Sequence, residues 1–233
     1  MIKNLKDLIE KHQGQRELAL VFDLDCTLVD SSPLFPILED NAAKLLWDRC
    51  QIPKDEALEL ISSYLATYGD CVRAPFRDLH GIDVETTLHH VFLPETLPTE
   101  ILERWHCLSE FSERCDIPKY IFTNGPEPYM NHVLSHTGQR DHFIHHVATN
   151  HVSCDLKPAT SAFDQFQDLT KLDPETHCII FFEDNLNNIK AAEDRGWVCV
   201  WCTEFLDESF VKDQRDNVRS VIVDDLKHFL NLS

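Results

Sequence analysis

Five short apolar runs are spaced along the chain as buried strands would be. Each run is apolar throughout and does not alternate with polar residues, which is the pattern of strands covered on both faces of a parallel sheet. The runs are LALVF (18–22), YIF (120–122), CIIFF (178–182), WVCVW (197–201) and SVIV (220–223). Helical spacing lies between them, at Ile101, Leu102, Trp105 and Leu108, and at Ile189, Ala191 and Ala192. This alternation predicts a doubly wound α/β fold.

The interval between the first two runs is nearly a hundred residues long, far more than a crossover connection needs. It contains two apolar helical faces on either side of Pro53. The first face is Leu38, Ala42, Leu45 and Leu46, and the second is Ala57, Leu58, Ile61, Leu65 and Tyr68. We therefore predict an all-helical cap subdomain over residues 33–95, inserted into an α/β core made of residues 1–32 and 96–233.

Polar residues follow the first three predicted strands, where a parallel sheet gathers its ligand-binding loops. They are Asp23 and Asp25 after the first, Thr123 and Asn124 after the second, and Glu183 and Asp184 after the third, with Lys157 in the loop before it. Crowded carboxylates need a cation, and oxygen ligands of this kind suit Mg²⁺. One carboxylate can then attack phosphorus while another moves a proton. Thr123, the Asn124 N–H group and Lys157 would offset charge on the phosphoryl oxygens.

Four motifs in this order resemble those of the haloacid dehalogenase-like (HAD) hydrolase superfamily: FDLDCTLVDSS, IFTNG, LKP and FFEDNLNNIKAAEDRGW. The resemblance implies a Rossmann-like core and a mobile cap that selects the substrate. It makes Asp23 the nucleophile and a magnesium ligand, and Asp25 the general acid and base, which binds the metal through its backbone carbonyl. It implies that Thr123 and Lys157 hold the phosphoryl group. Asp184 would ligate the ion directly, and Glu183 directly or through water.

One departure from the family pattern is Cys26, which stands where relatives usually have Gly or Asn. The true dehalogenases of the superfamily lack the acid two residues after the nucleophile and use no magnesium. Asp25 therefore favours phosphoryl transfer, through an aspartyl-phosphate intermediate, over carbon–halogen chemistry.

The substrate is the least determined part of the prediction. The segments SSYLATYGDCVRAPF, LHGIDV and FFEDNLNN are similar to the pyrimidine 5′-nucleotidase subgroup, which implies a nucleoside 5′-monophosphate such as UMP or CMP. In that interpretation Tyr68, Gly69 and Arg73 form a cap loop that meets the substrate, and Arg73 pairs with an anionic or carbonyl group. The alternative is that Tyr64 and Tyr68 form a packed aromatic face.

Three other functions stay open. The first motif equally resembles sugar-phosphate and phosphoglycolate phosphatases. A phosphomutase would return the phosphoryl group to a second hydroxyl instead of water. A binding module of this fold without chemistry is the alternative from a different class, and the intact set Asp23, Asp25, Lys157 and Asp184 argues against it.

Net charge and the length of the apolar runs limit the kinds of partner and the cellular compartment that we expect. The 21 Lys and Arg against 40 Asp and Glu give a net charge of −19, which disfavours a nucleic-acid polymer. The sequence contains no apolar run long enough for a signal peptide or a membrane helix, so we expect a cytoplasmic protein and a small phosphorylated metabolite as its partner. No protein partner can be inferred.

Two further groups of residues contain side chains that bind metals in other proteins. Nine cysteines fit a reducing compartment, and Cys199 and Cys202, although spaced as CxxC, lie in a strand-like run that favours packing. The segment with His142, His145, His146 and His151 lies where relatives have an exposed short strand and turn, which favours surface histidines.

Overall fold

Parallel strands form one sheet at the centre of the described chain. In a computed structural model, which describes residues 2–12, 14, 16–68, 72–92, 104–106, 108–149 and 156–231, six strands occur in the order β3-β2-β1-β4-β5-β6. They are β1 (Glu17–Phe22), β2 (Lys119–Pro126), β3 (His145–Thr149), β4 (His177–Glu183), β5 (Val198–Cys202) and β6 (Val221–Val223). The chain winds outward from β1 to β3 and then returns to β4 on the other side. This order is that of a doubly wound sheet, whose switch point lies between β1 and β4.

Each predicted strand coincides with an observed one, and β3 is the strand that the apolar runs did not contain. Its residues HHVAT pair with β2 at the edge of the sheet, where His145 is exposed and His146 is half-buried. A strand with one face in solvent has no reason to be apolar throughout, so its pattern carries no such signal.

Helices cover both faces of the sheet. They are α1 (Leu5–His12), α6 (Ser109–Arg114), α7 (Glu127–His136), α8 (Thr160–Thr170), α9 (Leu186–Glu193), α10 (Glu208–Gln214) and α11 (Leu226–Phe229). Leu20 and Phe22 of β1 face the layer that contains α1 and α7, whereas Ala19 and Val21 face the layer that contains α8 and α9. Burying one side chain such as Phe22 contributes roughly 1.5–3 kcal/mol. The predicted fold class is confirmed.

The interval between β1 and β2 contains four further helices, which we call the helical insert. They are α2 (Phe35–Cys50), α3 (Lys54–Tyr68), α4 (Arg73–His80) and α5 (Val84–Val91). The insert has an apolar cluster of its own that includes Leu46, Ile61 and Phe76. Leu65, which the sequence placed on the packed face of α3, is 57% exposed. The boundaries of a cap domain stay a prediction.

The helix predicted around Trp105 is wrong at the residues that the structure describes. Trp105 forms an antiparallel bridge with Val29, and the same short segment accepts a hydrogen bond at the Arg104 carbonyl and donates one from the His106 N–H group. These backbone groups are bonded to residues 28–30, so they cannot make helical bonds. Ile101 and Leu102 lie outside the described residues, and α6 begins after Leu108.

The cysteine pair and the described histidines do not assemble into a metal site. Cys199 and Cys202 are buried free thiols that join opposite core layers, so they do not face one another. His142 and His146 are half-buried, and His151 lies outside the described residues. Among the described helices, none combines the length and apolar content needed to cross a bilayer.

Candidate active site

The carboxyl ends of β2, β1 and β4 meet at the switch point of the sheet. Phe22 pairs with Phe182 in register, and the Asp23 N–H group donates to the Phe182 carbonyl at 2.9 Å. Asp23 and Glu183 therefore leave adjacent strands side by side. Thr123 lies in the carboxyl-terminal half of β2, on the other side of β1. The sheet thus brings together residues that the sequence separates widely.

Lys157 is the cation at the centre of this group. Its Nζ atom lies 2.8 Å from Asp23 Oδ1, 2.7 Å from Glu183 Oε2 and 2.7 Å from the Phe122 carbonyl oxygen. All three ammonium protons have acceptors, and the side chain is 1% exposed. Burial alone would lower the pKa of Lys157, but the charges of Asp23 and Glu183 outweigh it and raise that pKa. The lysine is held as an ammonium ion in a fixed position.

Asn124 holds the backbone of Lys157. The Asn124 side chain donates from Nδ2 to the Lys157 carbonyl at 2.9 Å and accepts the Lys157 N–H group at Oδ1 at 2.8 Å. Thr123 Oγ1 accepts the Gly125 N–H group at 2.9 Å, and this threonine is buried. The sequence predicted a role for the Asn124 backbone and missed the clamp formed by its side chain.

Three buried or half-buried carboxylates form a possible cation site. Oxygens of Asp23, Glu183 and Asp184 lie within 4.8 Å of one another. The Asp184 carbonyl accepts the Trp201 indole N–H at 2.8 Å, and the Asn185 N–H group donates to Glu183 Oε1 at 3.1 Å. These bonds fix the loop after β4, so its acids stay close together.

The electrostatics of this acid cluster favour a bound cation. Burial, reinforced by the charge of Glu183, raises the pKa of Asp23 to about 8 although Lys157 opposes the shift. Burial, the charges of Glu183 and Asp23 and a hydrogen bond with Glu183 hold the pKa of Asp184 well above its usual range. One ammonium group thus does not compensate three acids. The all-oxygen donor set and the uncompensated charge fit a divalent ion such as Mg²⁺.

The Asp25 side chain occupies a separate position, outside the acid cluster. Its Oδ1 atom accepts hydrogen bonds from the Ser31 hydroxyl at 2.5 Å and from the Tyr129 hydroxyl. Burial raises the pKa of Asp25, and these two hydrogen bonds partly oppose the shift. The two aspartates of the first motif therefore have different surroundings although they are two residues apart. The sequence predicted Asp25 but neither of its hydroxyl partners.

The turn at and directly after Asp25 explains an unusual residue. Cys26 has φ = 55°, and the Leu24 carbonyl accepts the Leu28 and Val29 N–H groups at 2.9 and 3.1 Å. Gly or Asn adopts this left-handed conformation most easily, which accounts for the residues that relatives usually have there. The cost for a cysteine is about 1–2 kcal/mol.

A cavity of about 310 Å³ lies between the helical insert and Asp25. More than half of its lining residues are apolar, namely Phe35, Leu38, Ile61, Leu65, Val72, Val91 and Phe92. Its polar side chains are Asp25, Glu39, Arg73, Asn124 and Tyr129. The buried Arg73 guanidinium donates to the Asn124 carbonyl and lies 5.6 Å from the centre of the Phe92 ring. Gly69 and the Tyr68 side chain lie outside the described residues.

The family model of the haloacid dehalogenase-like hydrolases matches residues 18–196, which is more than half of the chain and contains every residue of the acid cluster. The chain belongs to this hydrolase family. No curated protein matches the chain at a significant level.

Solved structures of the HAD fold are similar over nearly the whole chain. A HAD phosphatase from Thermococcus onnurineus has a TM-score of 0.58 and 22% identity, with 89% of this chain and 94% of that one covered. A putative HAD hydrolase from Bacillus subtilis, described as bound to magnesium, has a TM-score of 0.57 and 18% identity over 93% and 100%. The L-2-haloacid dehalogenase of Xanthobacter autotrophicus has a TM-score of 0.53 and 13% identity over 91% and 96%. At these identities the likeness establishes the fold alone.

The HAD motifs identify the charged residues of the site better than its neutral ones. Asp23, Lys157, Glu183 and Asp184 come together as a group, while Arg73 contacts Asn124 at the cavity. The sequence did not predict Tyr129, whose hydroxyl contacts Asp25 from the first turn of α7. The sequence did contain a signal for this residue, because a helix that starts directly after a strand of this sheet places its first turn near the site.

Proposed function

We propose that the protein is a magnesium-dependent phosphomonoester hydrolase that works through a phospho-Asp23 intermediate. The observation that carries the proposal is the position of Asp23, within a buried group of acids and 2.8 Å from the Lys157 ammonium. A nucleophile must be deprotonated, and Asp23 without a cation keeps its proton up to a pH of about 8. The site therefore supports a nucleophile that a bound metal ion keeps ionised.

Each step assigns a role to a residue of this chain. Asp23 attacks phosphorus, the bond from phosphorus to the organic oxygen breaks, and Asp25 gives that oxygen a proton. Water then attacks phosphorus, Asp25 accepts the water proton, and the bond from Asp23 to phosphorus breaks, which releases inorganic phosphate. Burial raises the pKa of Asp25, which is the direction that the first of its two roles requires, because an acid must carry a proton before it donates one.

Two groups would stabilise the transferring phosphoryl group. Lys157 supplies a fixed positive charge, and Thr123 supplies a hydroxyl from the carboxyl-terminal half of β2. Asp23 and Asp184 would hold the magnesium ion, with the Asp25 carbonyl and with Glu183 directly or through water. When bound, the ion supplies charge neutralisation and polarises the phosphoryl oxygens. Glu183 already accepts hydrogen bonds from Lys157 and from the Asn185 N–H group, so it also fixes the lysine.

For the organic part of the substrate we propose a nucleoside, which makes the substrate a nucleoside 5′-monophosphate. The cavity beside Asp25 is within the size range of small-molecule sites, and its lining is mainly apolar with a few polar side chains. Such a lining suits a flat heterocycle better than a second phosphate group. Arg73 and Asn124 supply polar groups to this lining, and the Asn124 side chain also bonds the backbone of Lys157.

The decisive experiment measures free phosphate from 4-nitrophenyl phosphate, UMP, CMP, a sugar phosphate and phosphoglycolate, with Mg²⁺ and with EDTA. We expect release with Mg²⁺ only, the highest kcat/KM for the nucleotides and no turnover by Asp23→Asn. The matched control is Asp224→Asn, since Asp224 is an exposed aspartate directly after strand β6. Full activity of Asp23→Asn or in EDTA rejects the mechanism.

The same assay separates the rival functions. A phosphomutase would isomerise a sugar phosphate without releasing phosphate, and a binding module would bind substrates without turnover. A preference for phosphoglycolate or a sugar phosphate over UMP and CMP would reject the nucleotide while leaving the mechanism intact.

A further inference from the structure

The Asp25 carboxyl group is held from one side by two hydroxyls. The Ser31 hydroxyl donates to Oδ1 at 2.5 Å from the loop after β1, and the Tyr129 hydroxyl donates to the same atom from α7. Among the described residues, none donates a hydrogen bond to the other oxygen, Oδ2. Two donors on one oxygen fix both the position and the rotation of a carboxyl group.

The Tyr129 ring is itself fixed by two neighbours. On one side it packs against Gly125, where a Cβ atom would lie 2.8 Å from Tyr129 Cδ1. On the other side Phe92, the residue directly after helix α5, meets it edge to face, with ring centres 5.8 Å apart. The tyrosine is 2% exposed and borders the cavity. Its hydroxyl therefore reaches Asp25 from a ring that has little freedom to move.

This arrangement determines which oxygen of Asp25 carries the proton. Oδ1 already accepts two O–H groups, so a proton on that atom would face two other donors. The proton of the neutral acid is therefore placed on Oδ2. An acid fixed in this way donates in one direction only, which is the preorganisation that proton transfer requires.

We propose that Tyr129 is a positioning residue that, together with Ser31, orients the Asp25 acid toward the leaving-group oxygen. The proposal rests on the proposed phosphatase function and adds to it two residues, Tyr129 and Ser31, to which the sequence analysis assigned no role. Tyr129 itself does not touch the phosphoryl group in this scheme. Its contribution is confined to steps in which Asp25 transfers a proton.

The test compares three substrates of similar shape, 4-nitrophenyl, phenyl and benzyl phosphate. The 4-nitrophenolate leaves readily without a proton. Phenolate depends more strongly on receiving a proton from the acid, and the benzyl alkoxide depends on it most strongly. The value of kcat/KM reports phosphoryl transfer to Asp23 and not the later hydrolysis. For Tyr129→Phe, which keeps the ring, we expect a loss of about 3-fold or less with the first substrate, rising to about 10²-fold with benzyl phosphate.

Two further variants make the result decisive. Ser31→Ala removes the other donor to the same oxygen and should show the same order of losses, even if Tyr129→Phe folds poorly. Tyr64→Phe removes a tyrosine hydroxyl that bonds His80 inside the insert, 2.6 Å away, and should show no such order. Equal losses with all three substrates, or no loss, would overturn the positioning role. If the unmodified protein releases phosphate from none of them, the proposed function itself fails and this inference with it.

Discussion

Lys157 and Asp23 are 134 residues apart in the sequence, yet Lys157 Nζ lies 2.8 Å from Asp23 Oδ1 in the folded protein. The same ammonium group bonds Glu183, and its three donors are all used by neighbours. These contacts join the segment before helix α8 to the ends of β1 and β4. Stability and chemistry therefore depend on the same contact.

Replacing Lys157 by Met should remove activity and lower stability together. The variant leaves the acids Asp23 and Glu183 without their cation, and breaking a buried pair from one side costs roughly 3–5 kcal/mol, less where the acids take up protons. We expect phosphate release to fall at least about 10²-fold. Phosphate assays and urea unfolding measure the two effects. Added Mg²⁺ should restore part of the stability. It should not restore activity, because the positive charge of Lys157 beside the phosphoryl group is still missing.

Lys119→Met is the matched control. Lys119 is also buried, but its Nζ atom donates to the Cys115 and Ile117 carbonyls at the opposite end of β2. We expect this variant to lose stability and keep its kcat/KM. A comparable loss of activity in both variants would mean that Lys157 acts only through the fold.

The acid cluster predicts that stability depends on pH when no cation is bound. The pKa of Asp23 is about 8 in the folded protein against 3.8 ordinarily, so the folded state holds a proton that the unfolded state has lost. Stability from this group is therefore fully present at low pH and is lost as the pH rises toward 8. The raised pKa of Asp184 acts in the same direction.

Mg²⁺ should consequently stabilise the protein more at pH 8 than at pH 6, because the ion competes with protons at the lower pH. We expect the Mg²⁺-induced increase in Tm, relative to EDTA, to be larger at pH 8 by about 3 °C or more. Thermal unfolding at both pH values provides the measurement, and Asp23→Asn should reduce the difference. Equal Mg²⁺ effects at the two pH values would contradict the assignment of this cluster as the cation site.

The sequence predicted the charged part of the site because charge at the end of an apolar strand is costly without a purpose. Asp23, Lys157 and Asp184 follow from that pattern and from the HAD motifs. Tyr129 did not, since a tyrosine after a turn is common and its contact with Asp25 depends on the close approach that Gly125 allows. Edge strand β3 was missed for a related reason, because half-exposed residues give no continuous apolar signal.

In the helical insert, too, the sequence predicted some features and missed others. Apolar spacing predicted α2 and α3, but the exposure of Leu65 beside the cavity depends on how the insert packs on the core. Trp105 was wrongly predicted as helical because apolar spacing alone does not show that residues 28–30 pair with its segment.

Arg73 should affect substrate binding more than turnover. Its guanidinium joins the first turn of α4 to the carbonyl of Asn124, whose side chain clamps Lys157. We expect Arg73→Ala to raise KM for UMP about 10-fold, equivalent to about 1.4 kcal/mol, with a smaller change in kcat. Steady-state kinetics with UMP and 4-nitrophenyl phosphate measure both. Arg77→Ala is the control, since Arg77 lies on the same helix in an exposed pair with Asp78. A similar KM for both variants would rule out a specific role for Arg73.

Gly125→Ala should disturb the Tyr129 ring without altering any hydrogen-bonding side chain. The added Cβ would lie 2.8 Å from Tyr129 Cδ1 and 3.3 Å from Thr123 Oγ1, so the ring must shift at a cost of about 1–3 kcal/mol. We expect lower stability, and a loss of kcat/KM that is larger for benzyl than for 4-nitrophenyl phosphate. Gly138→Ala is the control. Gly138 has φ = +66°, and an added Cβ there would meet no described atom within 4 Å, so that variant should cost stability and leave relative rates unchanged.

A double-mutant cycle shows whether the ring is the cause. Tyr129→Ala removes the atoms that the new Cβ would meet, so Gly125→Ala should cost much less stability in that background than in the unmodified protein. The two substitutions are then coupled. The double variant should lose about 1 kcal/mol or more less unfolding free energy than the sum of the two single losses. Urea unfolding of the four proteins measures the coupling. Additive losses would show that the Tyr129 ring does not press on Gly125 in solution, and the orientation of Asp25 would then need another support.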